Sequence, residues 1–264
     1  MLYICIPTYN EAPTVGLLLW RIRKVFREYA REYEIVVYDD GSTDSTRETL
    51  LPYAEVLPLT VIGGSEHRGY AAAVDALCRH VAKRTRYPRR DAMVLLQGDF
   101  TDQPEHIPEL AKRFEGGADV VVAEREAVAG APLEERRLRR LAPWLLRPFI
   151  SVPGVRDPFG SFRLVRIAAL RDLVRERGDR PIVEHDGWAG NVELLLALRP
   201  YARRVEAVAL APRYDVRPRA SRVRPLQDAV GLVRAGRRLR ARRAATTAAG
   251  PGAGDSTDNA PEGA

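Results

Sequence analysis

The sequence predicts an α/β fold with a mostly parallel central sheet flanked by helices, and three observations carry that expectation. Short apolar runs alternate with stretches of helical periodicity from the first residues onward. Three of those runs end in a polar cluster. At 264 residues, with 45% hydrophobic and 29% charged content, the chain can bury a sizeable core.

The elements follow in order. Leu2–Pro7 reads as a strand, followed by helical spacing of Val15, Leu18, Leu19, Ile22, Val25 and Phe26. Ile35–Tyr38 is a strand leading into Asp39–Asp44, then a short helix and a strand near Leu57–Ile62. Gly69–Ala82 is rich in alanine and helical; Ala92–Leu96 is a strand ending at Gln97, Gly98 and Asp99. A helix starts near Pro104, and Val120–Ala123 is a buried strand. Such alternation implies right-handed βαβ units, whose ligands bind at the carboxyl ends of the strands. The polar clusters Thr8–Glu11, Asp39–Asp44 and Gln97–Thr101 stand at those ends.

Beyond residue 125 the pattern changes. Arg136–Ile150 reads as a helix with Trp144 and Phe149 beside arginines, and Pro158–Arg163 as a strand or turn. Trp188–Leu198 is helical, Val205–Leu210 a strand and Arg222–Arg243 a basic helix. Ala244–Ala264 has almost nothing to bury and reads as a disordered tail. The expected organisation is one domain over 1–243, made of two halves at 1–124 and 125–243.

Composition excludes several classes. Two cysteines, Cys5 and Cys78, make no disulfide framework, and the four histidines form no zinc pattern. No run of 18 apolar residues predicts a membrane span, and no signal peptide is expected. Neither G-x-G-x-x-G nor G-x-x-x-x-G-K-[ST] occurs, so dinucleotide and P-loop readings lose their support. The net charge of +7 favours an anionic partner. No recognition motif or aromatic platform points to nucleic acid, and none is expected.

Five segments carry a resemblance. They are Pro7-Thr8-Tyr9-Asn10-Glu11, Asp39 through Asp44, His67-Arg68-Gly69-Tyr70, Gln97-Gly98-Asp99, and the run from Asp157-Pro158 to Phe162-Arg163. Val192-Glu193-Leu194-Leu195 adds a sixth. Together, over roughly residues 1–215, they resemble the family 2 glycosyltransferases of GT-A fold, most closely the polyprenyl-phosphate (dolichol-phosphate mannose synthase-like) branch.

The resemblance implies an inverting transfer of a sugar from a GDP- or UDP-linked donor, with 1–124 as the nucleotide-sugar-binding half and 125–243 as the acceptor half. It implies donor-binding roles for Pro7, Tyr9, Glu11, Asp40, Arg68, Gln97 and Arg125. Asp40 would hydrogen-bond the base or ribose, as a carboxylate can; Asp44 and Ser42 could instead only cap the following helix. Asp99 is the expected metal contact for Mg²⁺ or Mn²⁺, with Gln97 where the family has a first Asp and Asp102 as an outer helper. An amide oxygen can ligate but brings no charge, so weak or donor-dependent metal affinity is expected. Arg163 is expected on the far side of the cleft as a catalytic residue, with a structural salt bridge to Asp157 as the rival role. A hydroxyl acceptor would need a general base, at Asp157 or Glu193, because Ser161 cannot act as one at neutral pH. A lipid-phosphate acceptor would need none, and a glycan remains a further candidate.

The arginine-rich stretches at 138–150 and 222–243 could lie on anionic lipid. The expected location is cytoplasmic, peripheral on the inner face of the membrane. Three rival readings remain: a non-catalytic nucleotide-sugar-binding module, motivated by Gln97, a nucleotidyltransferase, and a basic nucleic-acid-binding protein.

Overall fold

The computed structural model describes residues 1–100, 102–125, 152–210 and residue 231. The expected helix at 136–150, the basic stretch at 222–243 apart from residue 231, and the tail at 244–264 lie outside the described residues.

Among the described residues seven strands form one sheet in the order β3-β2-β1-β4-β6-β5-β7. They are β1 (Leu2–Thr8), β2 (Tyr33–Asp40), β3 (Leu59–Gly64), β4 (Ala92–Leu95), β5 (Val120–Arg125), β6 (Arg163–Arg166) and β7 (Val205–Leu210). The first four run parallel; β6 is antiparallel to both β4 and β5, and β5 pairs parallel with β7. A central parallel strand is covered on both faces, so it reads as a continuous apolar run. Residues 2–6 of β1 and all four of β4 are buried.

Side chains alternate between the two faces. Leu2, Ile4 and Ile6 enter one core, with α1 (Ala12–Glu28), Leu50 of α2 (Thr46–Val56) and α4 (Ile107–Glu115). Tyr3 and Cys5 enter the other, with α3 (Tyr70–Arg84), α5 (Ile167–Arg177) and α6 (Gly187–Leu198). In α1 the spacing Val15, Leu18, Leu19, Ile22, Val25, Phe26 is the buried stripe. Fully burying one such side chain stabilises by about 1.5–3 kcal/mol.

The expected strand or turn at Pro158–Arg163 is a turn at Pro158–Phe159 leading into a strand that begins at Arg163. The structure adds one element to the expected layout. Helix α5, absent from the expected elements, follows β6 without a connecting loop. Because β6 runs backwards, the chain entering it at residues 157–162 arrives at the edge where β4 ends. This places the later half of the chain against the polar ends of the first.

Candidate active site

Parallel pairing puts the loops after β1 and β2 side by side, with Thr8 opposite Asp39 in register. These loops bind each other. The Asn10 N–H donates to Ser42 Oγ at 3.0 Å, and Asn10 Oδ1 accepts the N–H groups of Thr43 at 2.8 Å and Asp44 at 3.3 Å. Asn10 takes φ +53° to do so, a left-handed conformation that asparagine tolerates better than most residues. The Glu11 N–H donates to Thr46 Oγ1 at 2.8 Å. Asp44 accepts from the N–H of Thr46 at 3.0 Å and of Ala12 at 3.2 Å, so it caps both α2 and α1. The capping role expected for Asp44 is what the structure shows, extended to a second helix.

Asp40 is buried, and its carboxylate already has partners. Oδ1 accepts the Arg68 N–H at 2.9 Å, Oδ2 accepts the Gly69 N–H at 2.8 Å, and His67 Nδ1 lies 2.8 Å from Oδ2. The carboxylate therefore anchors the start of α3, where helix amides would otherwise lack acceptors. The ring of His67 stacks on Tyr9, centroids 3.9 Å apart. Pro7 and Tyr9 are half-buried, Arg68 is exposed, and Glu11 is buried with the Thr14 hydroxyl donating to its carboxylate at 3.1 Å.

After β4, Gln97 is half-buried while Asp99 and Asp102 are each 5% exposed. Gly98 sits where a Cβ would lie 3.3 Å from Thr8 Cγ2 and 3.4 Å from Glu11 Cγ, so this segment packs directly on the β1 loop. Phe100 follows Asp99 at φ +62°, and strain of this kind concentrates at functional sites. The Ser161 hydroxyl donates to Asp102 Oδ2 at 3.3 Å, joining the segment before β6 to the one after β4.

The side chains expected on the acceptor half occupy different surroundings from those anticipated. Asp157 is half-buried, accepts the Phe159 N–H at 3.1 Å and is held through its own N–H by Glu124 Oε1 at 3.2 Å. Arg163 was expected to face the cleft; its side chain is instead sealed in the interior at 0% exposure. It donates to the Asn191 carbonyl at 2.7 Å and to the Gly160 carbonyl, and burial pushes its guanidinium down to about 10 against the opposing charges of Tyr70, Cys78 and Asp157. Its Nε has no hydrogen-bond partner. Glu193, a candidate base, is 3% exposed, and its Oε2 accepts the N–H groups of Glu184 at 2.8 Å and His185 at 3.3 Å. The side chain of Arg125 lies outside the described residues.

Thus Pro7, Tyr9, Glu11, Asp40, Arg68, Gln97 and Asp99 come together at one sheet edge, while Arg163 and Glu193 hold the backbone behind it. Asn191 is a contributor that went unpredicted. It receives the Tyr70 hydroxyl at 2.7 Å and donates to the Phe159 carbonyl at 2.9 Å. Nothing local in the sequence signals this, since Tyr70 and Asn191 are 121 residues apart.

Among the described residues no group of three or more His, Cys, Asp and Glu side chains could hold a metal ion. Gln97, Asp99 and Asp102 follow one another closely after β4 and carry only oxygen groups able to ligate, the chemistry that suits a hard divalent cation.

Comparison with known proteins completes the picture. A family model described as "Glycosyl transferase family 2" matches residues 3–174. The undecaprenyl-phosphate 4-deoxy-4-formamido-L-arabinose transferase of Photorhabdus laumondii is 34% identical over 124 residues, covering 46% of this chain and 36% of that protein. The prophage bactoprenol glucosyl transferase homolog of Escherichia coli K12 is 29% identical over 174 residues, covering 65% and 52%. The chain therefore spans about half, or less, of the length of these relatives. Among solved structures, glucosyl-3-phosphoglycerate synthase from Mycobacterium tuberculosis, with Mn²⁺, UDP and glucosyl-3-phosphoglycerate, has a TM-score of 0.59 at 19% identity over 92% of this chain and 79% of that one. Staphylococcus aureus TarS in complex with UDP-GlcNAc has a TM-score of 0.58 at 16% identity over 90% and 66%. These likenesses bear out the GT-A architecture, and the family match spans most of the sheet and every carboxyl-end loop described above. The chain belongs to glycosyl transferase family 2.

Proposed function

We propose that this protein is an inverting glycosyltransferase that moves a sugar from a GDP- or UDP-linked donor to a polyprenyl phosphate. The observation that carries the reading is the assembly of Tyr9, Asp40, Gln97 and Asp99 at the carboxyl edge of β1, β2 and β4 in a chain of this family. The names of the undecaprenyl-phosphate and bactoprenol relatives support the acceptor class.

In this reading the acceptor oxygen forms the new bond to the anomeric carbon on one face. The bond to the diphosphate breaks on the other, and the nucleoside diphosphate leaves. Tyr9 and the start of α3 that Asp40 anchors would orient the nucleoside. Asp99 and the Gln97 amide would hold Mg²⁺ or Mn²⁺, which when bound supplies positive charge to the departing diphosphate. The phosphate acceptor is favoured because it is already anionic. Ser161 donates to Asp102, and Asp157 and Glu193 are occupied by backbone N–H groups. The protein would meet its lipid acceptor at the inner face of the membrane as a peripheral protein. Among the described residues no helix is long and apolar enough to cross a bilayer.

Gln97 supports a second reading, a module that binds nucleotide sugars without transfer. Radiolabelled UDP-glucose and GDP-mannose, each incubated with undecaprenyl phosphate in detergent and Mg²⁺ or Mn²⁺, separate the two. Metal-dependent appearance of label in the lipid phase is expected. Donor binding without transfer to the lipid phosphate or to a glycan acceptor would favour the module.

A further inference from the structure

The first turn of α3 is held by two carboxylates from opposite halves of the chain. Asp40, at the end of β2, takes the amides of Arg68 and Gly69; Asp186, just before α6, takes the Ala71 amide at 2.7 Å through Oδ1. The fit at this point is close. A Cβ on Gly69 would lie 3.1 and 3.2 Å from the Asp186 carboxylate oxygens, and Gly69 has φ +95°, so only glycine suits both the turn and the contact.

The loop bearing Asp186 is fixed from behind. Glu193 accepts the N–H groups of Glu184 and His185, and His185 Nδ1 lies 3.2 Å from the same oxygen. A Cβ on Gly190 would fall 2.1 Å from the His185 carbonyl oxygen, so the loop rests directly on α6. Helix α6 in turn grips the segment before β6 through Asn191. The loop therefore links the acceptor-side segment to the helix turn that Asp40 and His67 depend on.

We propose that Asp186 is a positioning residue of the donor site, clamping the first turn of α3 from the acceptor side so that the nucleoside diphosphate meets a preformed pocket. This rests on the reading of the cleft as a nucleotide-sugar site. The task requires only a hydrogen-bond acceptor for a backbone N–H, which an amide oxygen also supplies. A general base at the same position would instead need the ionisable carboxylate.

The test compares full-length wild type, Asp186→Ala and Asp186→Asn. Binding of UDP and GDP is measured by calorimetry, donor KM and kcat by steady-state transfer, and folding by thermal melting. Asp186→Ala is expected to weaken nucleoside diphosphate binding and raise donor KM by about fivefold, the order of the helix-start stabilisation that binding would then have to supply, with kcat nearly unchanged. Asp186→Asn is expected to fold and to restore binding to within about twofold. Wild-type binding with an unchanged Kd in Asp186→Ala would overturn the clamp alone. So would a kcat lost equally in the alanine and asparagine variants. A wild type that binds neither nucleotide would overturn both the clamp and the donor-site reading.

Discussion

The ring of Tyr9 lies on the imidazole of His67, centroids 3.9 Å apart and planes 22° from parallel, so an aromatic pair joins the loops that follow β1 and β3. His67 also touches the Asp40 carboxylate, which ties the pair to the α3 anchor. Removing the tyrosine ring exposes the imidazole and loosens that corner. Tyr9→Ala is expected to weaken UDP or GDP binding by about tenfold, in line with the contribution of one stacked pair, whereas Tyr9→Phe should bind normally. Calorimetric titration reads this directly, and equal affinities for wild type and Tyr9→Ala would remove the ring from the site.

In the proposed function Gln97 stands beside Asp99 where a second carboxylate would add charge. Supplying that carboxylate should strengthen a metal site that otherwise rests on Asp99 and the donor diphosphate. Gln97→Asp is expected to tighten Mn²⁺-dependent nucleotide binding by about tenfold, and Asp99→Ala to abolish the metal effect. Titrating each variant with nucleotide, with and without Mn²⁺, is the check. A wild type and Gln97→Asp that respond identically to the ion would place the metal elsewhere.

Arg163 is a structural cation. Its buried guanidinium supports the Gly160 and Asn191 carbonyls, and truncation strands both. Arg163→Met is expected to destabilise the fold by about 3 kcal/mol, and Arg163→Lys to recover little of it, because one ammonium cannot reproduce the planar fork. Urea denaturation of the three proteins would show this as a fall in midpoint. A fully stable Arg163→Met with impaired turnover would return the residue to the reaction.

Asp44 gives the fold an acid-sensitive joint. Burial pushes its carboxyl upward, but the Thr46 hydroxyl and the N–H groups of Thr46 and Ala12 outweigh this and hold it below its ordinary value of 3.8. A carboxyl depressed in the folded state stabilises fully above its unfolded value, and the contribution is lost as pH falls through the folded one. Melting temperature is therefore expected to drop below about pH 4 more steeply in wild type than in Asp44→Asn. Parallel slopes between pH 3 and pH 6 would show that the caps carry no linked proton.

The parts of the molecule written locally were legible in the sequence. β1, β2 and β4 are apolar because both faces are covered, and the clusters after them are short-range turn and cap chemistry. β6 was not legible. Its four residues, Arg163–Arg166, begin and end in arginine, and nothing in so short a segment reveals that it inserts antiparallel between two earlier strands. The fates of Arg163 and Glu193 were hidden for the same reason. A charged residue in an apolar run can face a cleft or be satisfied by backbone partners, and those partners are set by the packing of α6. Asp186 lies 115 residues from the amide it accepts, a distance no periodicity spans.

The strand order has a consequence for how the chain is made. β5 pairs only with β6 and β7, both of which come later, and never with β4. While a ribosome is still extending the segment before residue 163, β4 and β5 both present open hydrogen-bonding edges with apolar faces. Such edges recruit other strands unless something shields them. Four residues, once emerged, close the β4 edge and one edge of β5, and the other edge of β5 waits for β7. Synthesis of this protein thus has a vulnerable interval that opens when β4 is complete at Leu95 and closes only when β7 is complete at Leu210.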